Sequence, residues 1–364
     1  MELFTTFVQR ESPMRKEALE YAACPHCVSP LSIERVELQE GEHIMEGVLI
    51  CNGCRRKFPV RRGIPRLLPD ALLDSDWHER TVKRFGVQWH IFNEADRKFY
   101  EDQFISFIQP VQPEFFKDKV VLDVGCGKGR HVRLASLWGS KVVIGIDLSE
   151  AVDVSFQNTR DLPNVHIFQG DLFHMPMRYG VVDYAYSVGV IHHTPNPELA
   201  FKKIVERVKP GGALSVWVYG KENNQWVVSI VSPIRERYTS RLSARSLMRL
   251  SFVLTIPLYL LSKTIYRLRL LRKLLPYFDY IHHLGTFSFR EIWSIVYDHL
   301  TPSVAHYLSR EEFESFWKNA GISPILSWRN RNSWSGFGYI PSTGANIHES
   351  QQLHMLSLSS RSET

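Results

Sequence analysis

Residues Val120-Val121-Leu122-Asp123-Val124 run without a break into Gly125-Cys126-Gly127-Lys128-Gly129-Arg130. Hydrophobic positions around a single acid describe a buried strand, and the glycines describe a turn whose backbone must come close to something bulky. A helical pattern follows from His131 to Trp138. The next hydrophobic run, Val142 to Ile146, closes on Asp147-Leu148, about 20 residues on, where an acid can take both ribose hydroxyls of a nucleotide. The pattern predicts an α/β fold that binds an adenosine-containing cofactor.

Glycine spacing narrows the choice. A dinucleotide fingerprint needs G-x-G-x-x-G with pyrophosphate on a helix N-terminus, whereas Gly125, Gly127 and Gly129 are spaced G-x-G-x-G. With Leu122-Asp123 before it, the loop resembles motif I of the Rossmann-like S-adenosylmethionine-dependent methyltransferases. The order of later elements agrees. Asn164 to Gln169 reads as a third strand ending in Gly170-Asp171-Leu172, and Val181 to Val188 as a fourth, followed by Gly189-Val190-Ile191-His192-His193. Glu198 to Val208 reads as an amphipathic helix ended by Lys209-Pro210-Gly211-Gly212, and Ala213 to Tyr219 as a fifth strand. The resemblance implies a seven-stranded, doubly wound sheet with S-adenosylmethionine as cofactor. It implies a cofactor site of Asp123, Gly125, Cys126, Gly127, Gly129, Asp147, Leu148, Asp171, Leu172 and Ser187, with Asp171 meeting the adenine amino group.

Upstream, Cys24-Pro25-His26-Cys27 and Cys51-Asn52-Gly53-Cys54 are two C-x-x-C pairs with 23 residues between them. Four thiolates satisfy a closed tetrahedral zinc site, so structural zinc on Cys24, Cys27, Cys51 and Cys54 is favoured over redox use. Phe58-Pro59-Val60-Arg61-Arg62-Gly63-Ile64-Pro65-Arg66-Leu67-Leu68-Pro69 then resembles the zinc-ribbon activator of tRNA, rRNA and release-factor methyltransferases. That resemblance implies a small three-stranded scaffold docked on the catalytic domain. Its arginines suit two uses, covering the joint with their stems or contacting RNA phosphates.

At 364 residues, 44% hydrophobic and 23% charged, the chain has globular composition and room for several units. The expected organisation is a zinc ribbon over 1–70 and an aromatic-rich connecting or lid segment over 71–115, including Trp77, Arg84 and Trp89. A methyltransferase core follows over 116–224, a helical insertion over 225–305, the last helix and strand pair over 306–341, and a Ser-rich tail over 342–364. The start has no apolar run after a basic one, so it does not read as a secretory signal, and the expected location is cytoplasmic. Much of the net charge of +6 lies in Arg55 to Arg66 and Arg235 to Lys273. Within the second segment, Leu250 to Ser262 is uncharged and broken by Pro257, too short to span a bilayer. A cap over an apolar pocket or a homodimer contact is preferred for 235–273, with peripheral contact to the inner membrane face as the alternative. Arg310 to Gly321 reads as the last helix, with Ile322 to Trp328 and Gly336 to Ile340 as the final strands.

Methyl transfer from a sulfonium demands alignment and exclusion of water, and a base only when the acceptor must lose a proton. His192, His193 and Tyr219 are the catalytic candidates, with Asp298-His299 and His282-His283 comparable. No Asn/Asp-Pro-Pro-Tyr/Phe tetrad follows the fourth strand, where Val188-Gly189-Val190-Ile191 stands. That absence and the apolar insertion lead to an expected substrate that is a small molecule, sugar or lipid-linked metabolite, methylated at oxygen. An rRNA or tRNA methyltransferase docking RNA on its basic ribbon is the second reading, and a non-enzymatic scaffold the third.

Overall fold

The computed structural model describes residues 14–342 except 15, 42, 71–82, 93–96, 226, 303 and 330–331. The expected tail, apart from Ser342, and Trp77 lie outside the described residues, as does the side chain of Trp89. Four strands belong to the N-terminal segment: β1 (Leu31–Glu40), β2 (His43–Cys51), β3 (Lys57–Arg61) and β4 (Ile64–Leu67). Seven follow: β5 (Val120–Val124), β6 (Val142–Asp147), β7 (Val165–Gly170), β8 (Val182–Val188), β9 (Val208–Tyr219), β10 (Ile325–Arg329) and β11 (Ser333–Tyr339).

All eleven form one sheet in the order β1-β2-β3-β4-β7-β6-β5-β8-β9-β11-β10. The expected seven-stranded sheet is present, but it does not end at β7. Strand β4, a fourth ribbon strand that the sequence reading did not separate, pairs in parallel with β7 through Arg66↔Gln169 and Leu67↔Gly170. An open edge is a row of unpaired N–H and C=O groups, and the ribbon covers this one. A second bridge joins Ala22 to Met177, with Ala23 N donating to the Pro176 carbonyl and Arg178 N to that of Tyr21.

Strand alternation separates two cores. Val120, Leu122 and Val124 face a cluster that continues into the ribbon through Leu67, Phe58 and Leu49, whereas Val121 packs with Phe104, Phe116 and Val132. The second face is covered by α2 (Arg97–Ile108), α3 (Arg130–Leu137) and α4 (Ala151–Thr159), preceded by α1 (Lys83–Ile91). On the first face lies α5 (Pro197–Val205), whose N-cap Asn196 accepts from Leu199 N at 3.0 Å. Helix α5 stops earlier than expected, and Lys209-Pro210-Gly211-Gly212 lies within β9 instead of in a turn. The register with β8 jumps from Val182↔Val208 to Tyr184↔Ala213, so these four residues form a bulge. The bulge is pinned by Gly211 N to Ile340 O and Ile340 N to Gly212 O.

After β9 come α6 (Ser232–Arg237), α7 (Ala244–Lys263), α8 (Phe278–Leu284) and α9 (Phe289–Leu300), then α10 (Arg310–Asn319) beside α5. Capping boxes at Ser288/Glu291 and Ser309/Glu312 start α9 and α10.

Candidate cofactor and metal sites

The glycine loop turns between β5 and α3. A Cβ on Gly125, at φ +81°, would stand 2.2 Å from Val190 Cγ2, and one on Gly129, at φ +78°, 2.5 Å from Ser155 Oγ. Only glycine holds the loop this close to the neighbouring segments. Gly127 N donates to Asp147 Oδ2 at 2.9 Å, while Oδ1 accepts from Ser149 N and Oγ at 2.8 and 2.6 Å. The acid that closes β6 is thereby fixed beside the loop.

These groups open onto a pocket lined by Gly125, Cys126, Gly127, Asp147, Leu148, Asp171, Leu172 and His193, all named from the sequence. Lys128, Arg130, His131, Ser149, Phe173, Val190, Thr194 and Asp298 also line it. Asp123, Gly129 and Ser187 stand outside the wall. Ser187 donates to the Val124 carbonyl at 3.1 Å, and Asp123 is buried on β5 with Oδ2 unpartnered. Burial, reinforced by Asp147, pushes Asp123 up to about 8, and burial also raises Asp147. The charge of Asp147 adds to the rise at Asp123, which a cation placed beside the two acids would relieve, and a sulfonium cofactor carries that charge. Asp171 Oδ2 accepts from His174 N and Nδ1 at 3.1 and 2.7 Å. The residues present therefore fit S-adenosylmethionine. Burial pushes the Cys126 thiol well above its ordinary value, as befits a packing residue beside Ser155.

The expected acid–base candidates separate. Of His192, His193 and Tyr219, only His193 lines the pocket. Its Nδ1 faces the Val304 carbonyl at 3.1 Å, which assigns the proton to Nδ1, and burial drives the ring down to about 3. His192 is fully buried with neither ring nitrogen partnered among the described residues; it packs 4.1 Å from the Tyr219 ring and 4.3 Å from His193. Tyr219 also meets Tyr307 and His299, so it belongs to an aromatic brace for His193. The pair Asp298-His299 contributes Asp298 instead, at the C-terminal end of α9. Burial raises Asp298 to about 6 against a hydrogen bond from Gln88 on α1. His282 Nδ1 donates to the Tyr266 carbonyl at 2.7 Å, and neither it nor His283 lines the pocket. Arg84 donates to the Leu242 carbonyl, tying α1 to the insertion.

Lys128, Arg130 and His131 were missed because the sequence reading placed the first two in the glycine turn and the third at the head of the helical pattern, without assigning any of them to the site. The only signal was their position immediately after the turn. Lys128 donates to the Phe92 carbonyl and Tyr100 hydroxyl at 3.0 and 3.2 Å, which brings the connecting segment against the pocket.

In the ribbon, the four sulfurs of Cys24, Cys27, Cys51 and Cys54 lie within 4.8 Å of one another. Cys24–Cys54 and Cys27–Cys51 are 3.6 and 3.4 Å apart, both slightly inside the roughly 3.8 Å edge of a tetrahedral zinc–thiolate site. Each knuckle closes on a backbone bond, Val28 N to Cys24 O and Arg55 N to Cys51 O, with Val28 and Arg55 at φ +59° and +65°. Burial holds Cys24 up at about 12 and raises Cys51, whereas hydrogen bonds hold Cys27 and Cys54 down; a divalent cation is what would bring the raised pair to the thiolate state. The cluster suits a structural zinc, with all four positions supplied by the chain.

Residues 122–216 match the family model of a methyltransferase domain, and residues 15–63 that of Trm112p-like proteins. A curated tRNA U34 carboxymethyltransferase of Ruthia magnifica subsp. Calyptogena magnifica is 30% identical over 176 residues, 47% of this chain and 48% of the relative. One from Psychromonas ingrahamii is 30% identical over 203 residues, 54% of each chain. The chain thus spans about half the length of the curated relatives it matches. A solved complex between the Haloferax volcanii Trm112 methyltransferase activator and a methyltransferase aligns at 15% identity, covering 73% of this chain and 100% of that one, with a TM-score of 0.45.

These relatives overturn the expected small-molecule or lipid-linked O-methylation. The physical premise fails as well. Of the described residues in 225–305, only Asp298 lines the pocket, while Val253, Leu254 and Leu260 face outward. The apolar segment is not the lining of an apolar substrate pocket. The chain carries a methyltransferase domain over residues 122–216 and, joined to it in one continuous sheet, a Trm112-like segment with a zinc-ribbon cysteine cluster.

Proposed function

We propose that this chain transfers an alkyl group from bound S-adenosylmethionine, or a close derivative of it, to a nucleobase of tRNA in the cytoplasm. The observation that carries the reading is the likeness to tRNA U34 carboxymethyltransferases, 30% identical over 176 and 203 residues. Two ionisable groups on the pocket wall, Asp298 and His193, support it. The bound cofactor supplies an electrophilic carbon on a sulfonium. Asp147 and Asp171 hold the nucleoside end, and the glycine loop passes close beneath. Neutral His193 orients the acceptor by a hydrogen bond, and Asp298 takes its proton where one must leave. Exposed Arg55 and Arg61, which carry no ion pair among the described residues, contact tRNA phosphates.

The test is incubation of the purified chain with labelled cofactor and bulk tRNA, with Asp147→Ala as control. Label is expected in tRNA and lost with the variant, and the mass of the released nucleoside separates methyl from carboxymethyl. Label confined to protein or metabolites would overturn the reading. With Asp298 near 6, activity should fall as pH drops through that value, because protonation removes the base. Asp298→Asn should lower the rate roughly 10²- to 10⁴-fold and flatten that limb. A variant retaining the limb would remove Asp298 from this role.

A further inference from the structure

Helix α7 is inside out. Its buried positions are Leu247, Ser251, Thr255 and Ser262, three of them small and hydroxylic. Its outward positions include Val253, Leu254, Ile256, Leu260 and Leu261, with Val253 60% and Leu260 57% exposed. A helix on a water-facing surface shows the reverse pattern. The inward hydroxyls are satisfied within the helix: Ser251 donates to Met248 O, Thr255 to Ser251 O and Ser262 to Tyr259 O, at 2.6 to 2.9 Å. Trp293 Nε1 on α9 donates to Ser251 Oγ at 2.9 Å. Small hydroxylic residues toward a neighbouring helix and large aliphatics away from it are the pattern of a helix whose outer solvent is apolar.

The apolar surface continues past the helix, where Leu270 and Leu274 are 79% and 78% exposed. Its charge is one-sided. Residues 235–273 hold ten Lys and Arg and a single acid, Glu236. Arg241, Arg245 and Arg249 stand exposed at the start, Arg269 and Lys273 beyond the end. At about 30 Å, α7 matches the thickness of a hydrocarbon layer, yet it packs on α9 through Phe252–Trp293 and Tyr259–Phe289. It therefore lies on the body of the protein with one face free.

We propose that this face docks on an anionic lipid bilayer, with α7 lying in the headgroup plane. The aliphatic side chains enter the acyl boundary and the arginines meet lipid phosphates. A second copy fits less well, since it would bring two basic rims together. RNA fits less well still, since phosphates have no use for exposed leucines. The inference goes beyond the acceptor reading and does not depend on it.

The experiment is co-sedimentation of the purified full chain with phosphatidylcholine vesicles, with and without a minor fraction of phosphatidylglycerol. Retention by the anionic vesicles, weakened by salt, is expected. The variant Val253→Ser/Leu254→Ser/Leu260→Ser should lose affinity by roughly tenfold or more while keeping its circular dichroism and Tm. Leu270→Ser/Leu274→Ser, outside the helix, should weaken binding in the same direction. Vesicle binding that is absent, or equal in all three proteins, overturns the proposal. So does a homodimer in sedimentation equilibrium that the triple variant dissolves, because the face would then be a self-interface.

Discussion

The ribbon and the helical insertion are both additions to the same methyltransferase sheet, and they are built in opposite senses. The ribbon turns its apolar residues toward the core, lends a strand to the sheet edge, and carries its charges outward or into the joint. The insertion turns hydroxyls inward and aliphatics outward around α7. The first is bound into the fold, and the second presents a surface whose partner lies outside it. The ribbon also reaches the cofactor site. Two of its backbone contacts, β4 on Gln169-Gly170 and Tyr21–Ala23 on Pro176–Arg178, flank the Asp171–Phe173 stretch that lines the pocket.

The largest effect should come from the metal. Structural zinc in small domains is worth about 10 kcal/mol or more, so Cys51→Ser/Cys54→Ser should unfold the ribbon and weaken cofactor binding together. Calorimetric titration with S-adenosylmethionine checks this. Affinity unchanged in the zinc-free protein would mean that the ribbon is bound to the sheet without bracing the pocket.

Next in size is the joint. Arg66 Nη2 lies 2.7 Å from Asp153 Oδ1, both side chains 12% exposed, and Nη1 donates to Gln169 Oε1. Removing one partner of such a pair leaves a half-buried charge, so Arg66→Met should cost about 3 kcal/mol. A double-mutant cycle with Asp153→Ala should give a coupling above roughly 1 kcal/mol. Coupling near zero would assign the docking to the β4–β7 backbone bonds alone.

The sequence disclosed what local chemistry determines. Asp123, the G-x-G-x-G turn and Asp147 announce a strand, a loop and an acid from adjacent residues, and the two C-x-x-C pairs announce a metal. It disclosed less where position depends on distant pairing. Ile64–Leu67 looks like a loop after a turn, and becomes a strand only because β7 offers it an edge. Lys209–Gly212 looks like a helix stop, and its place in β9 is set by β8 and Ile340. The insertion misled most. Its aliphatic run was legible, but which face it turned inward is decided by contacts with α9, more than 30 residues along the chain.

That face provides the last test, which is a contrast between two small substitutions on one helix. Ser251 is fully buried, so Ser251→Leu must push α7 off α9 and should cost about 1–3 kcal/mol by overpacking. Leu254, 44% exposed, leaves nothing behind when shortened, so Leu254→Ser should fall within about 0.5 kcal/mol of the parent. In an ordinary amphipathic helix the signs would be reversed, with the serine tolerant and the leucine costly. Urea midpoints for the two variants at equal m-value decide between those pictures. A costly Leu254→Ser would mean that α7 rests against protein, and the contrast between the two additions would disappear.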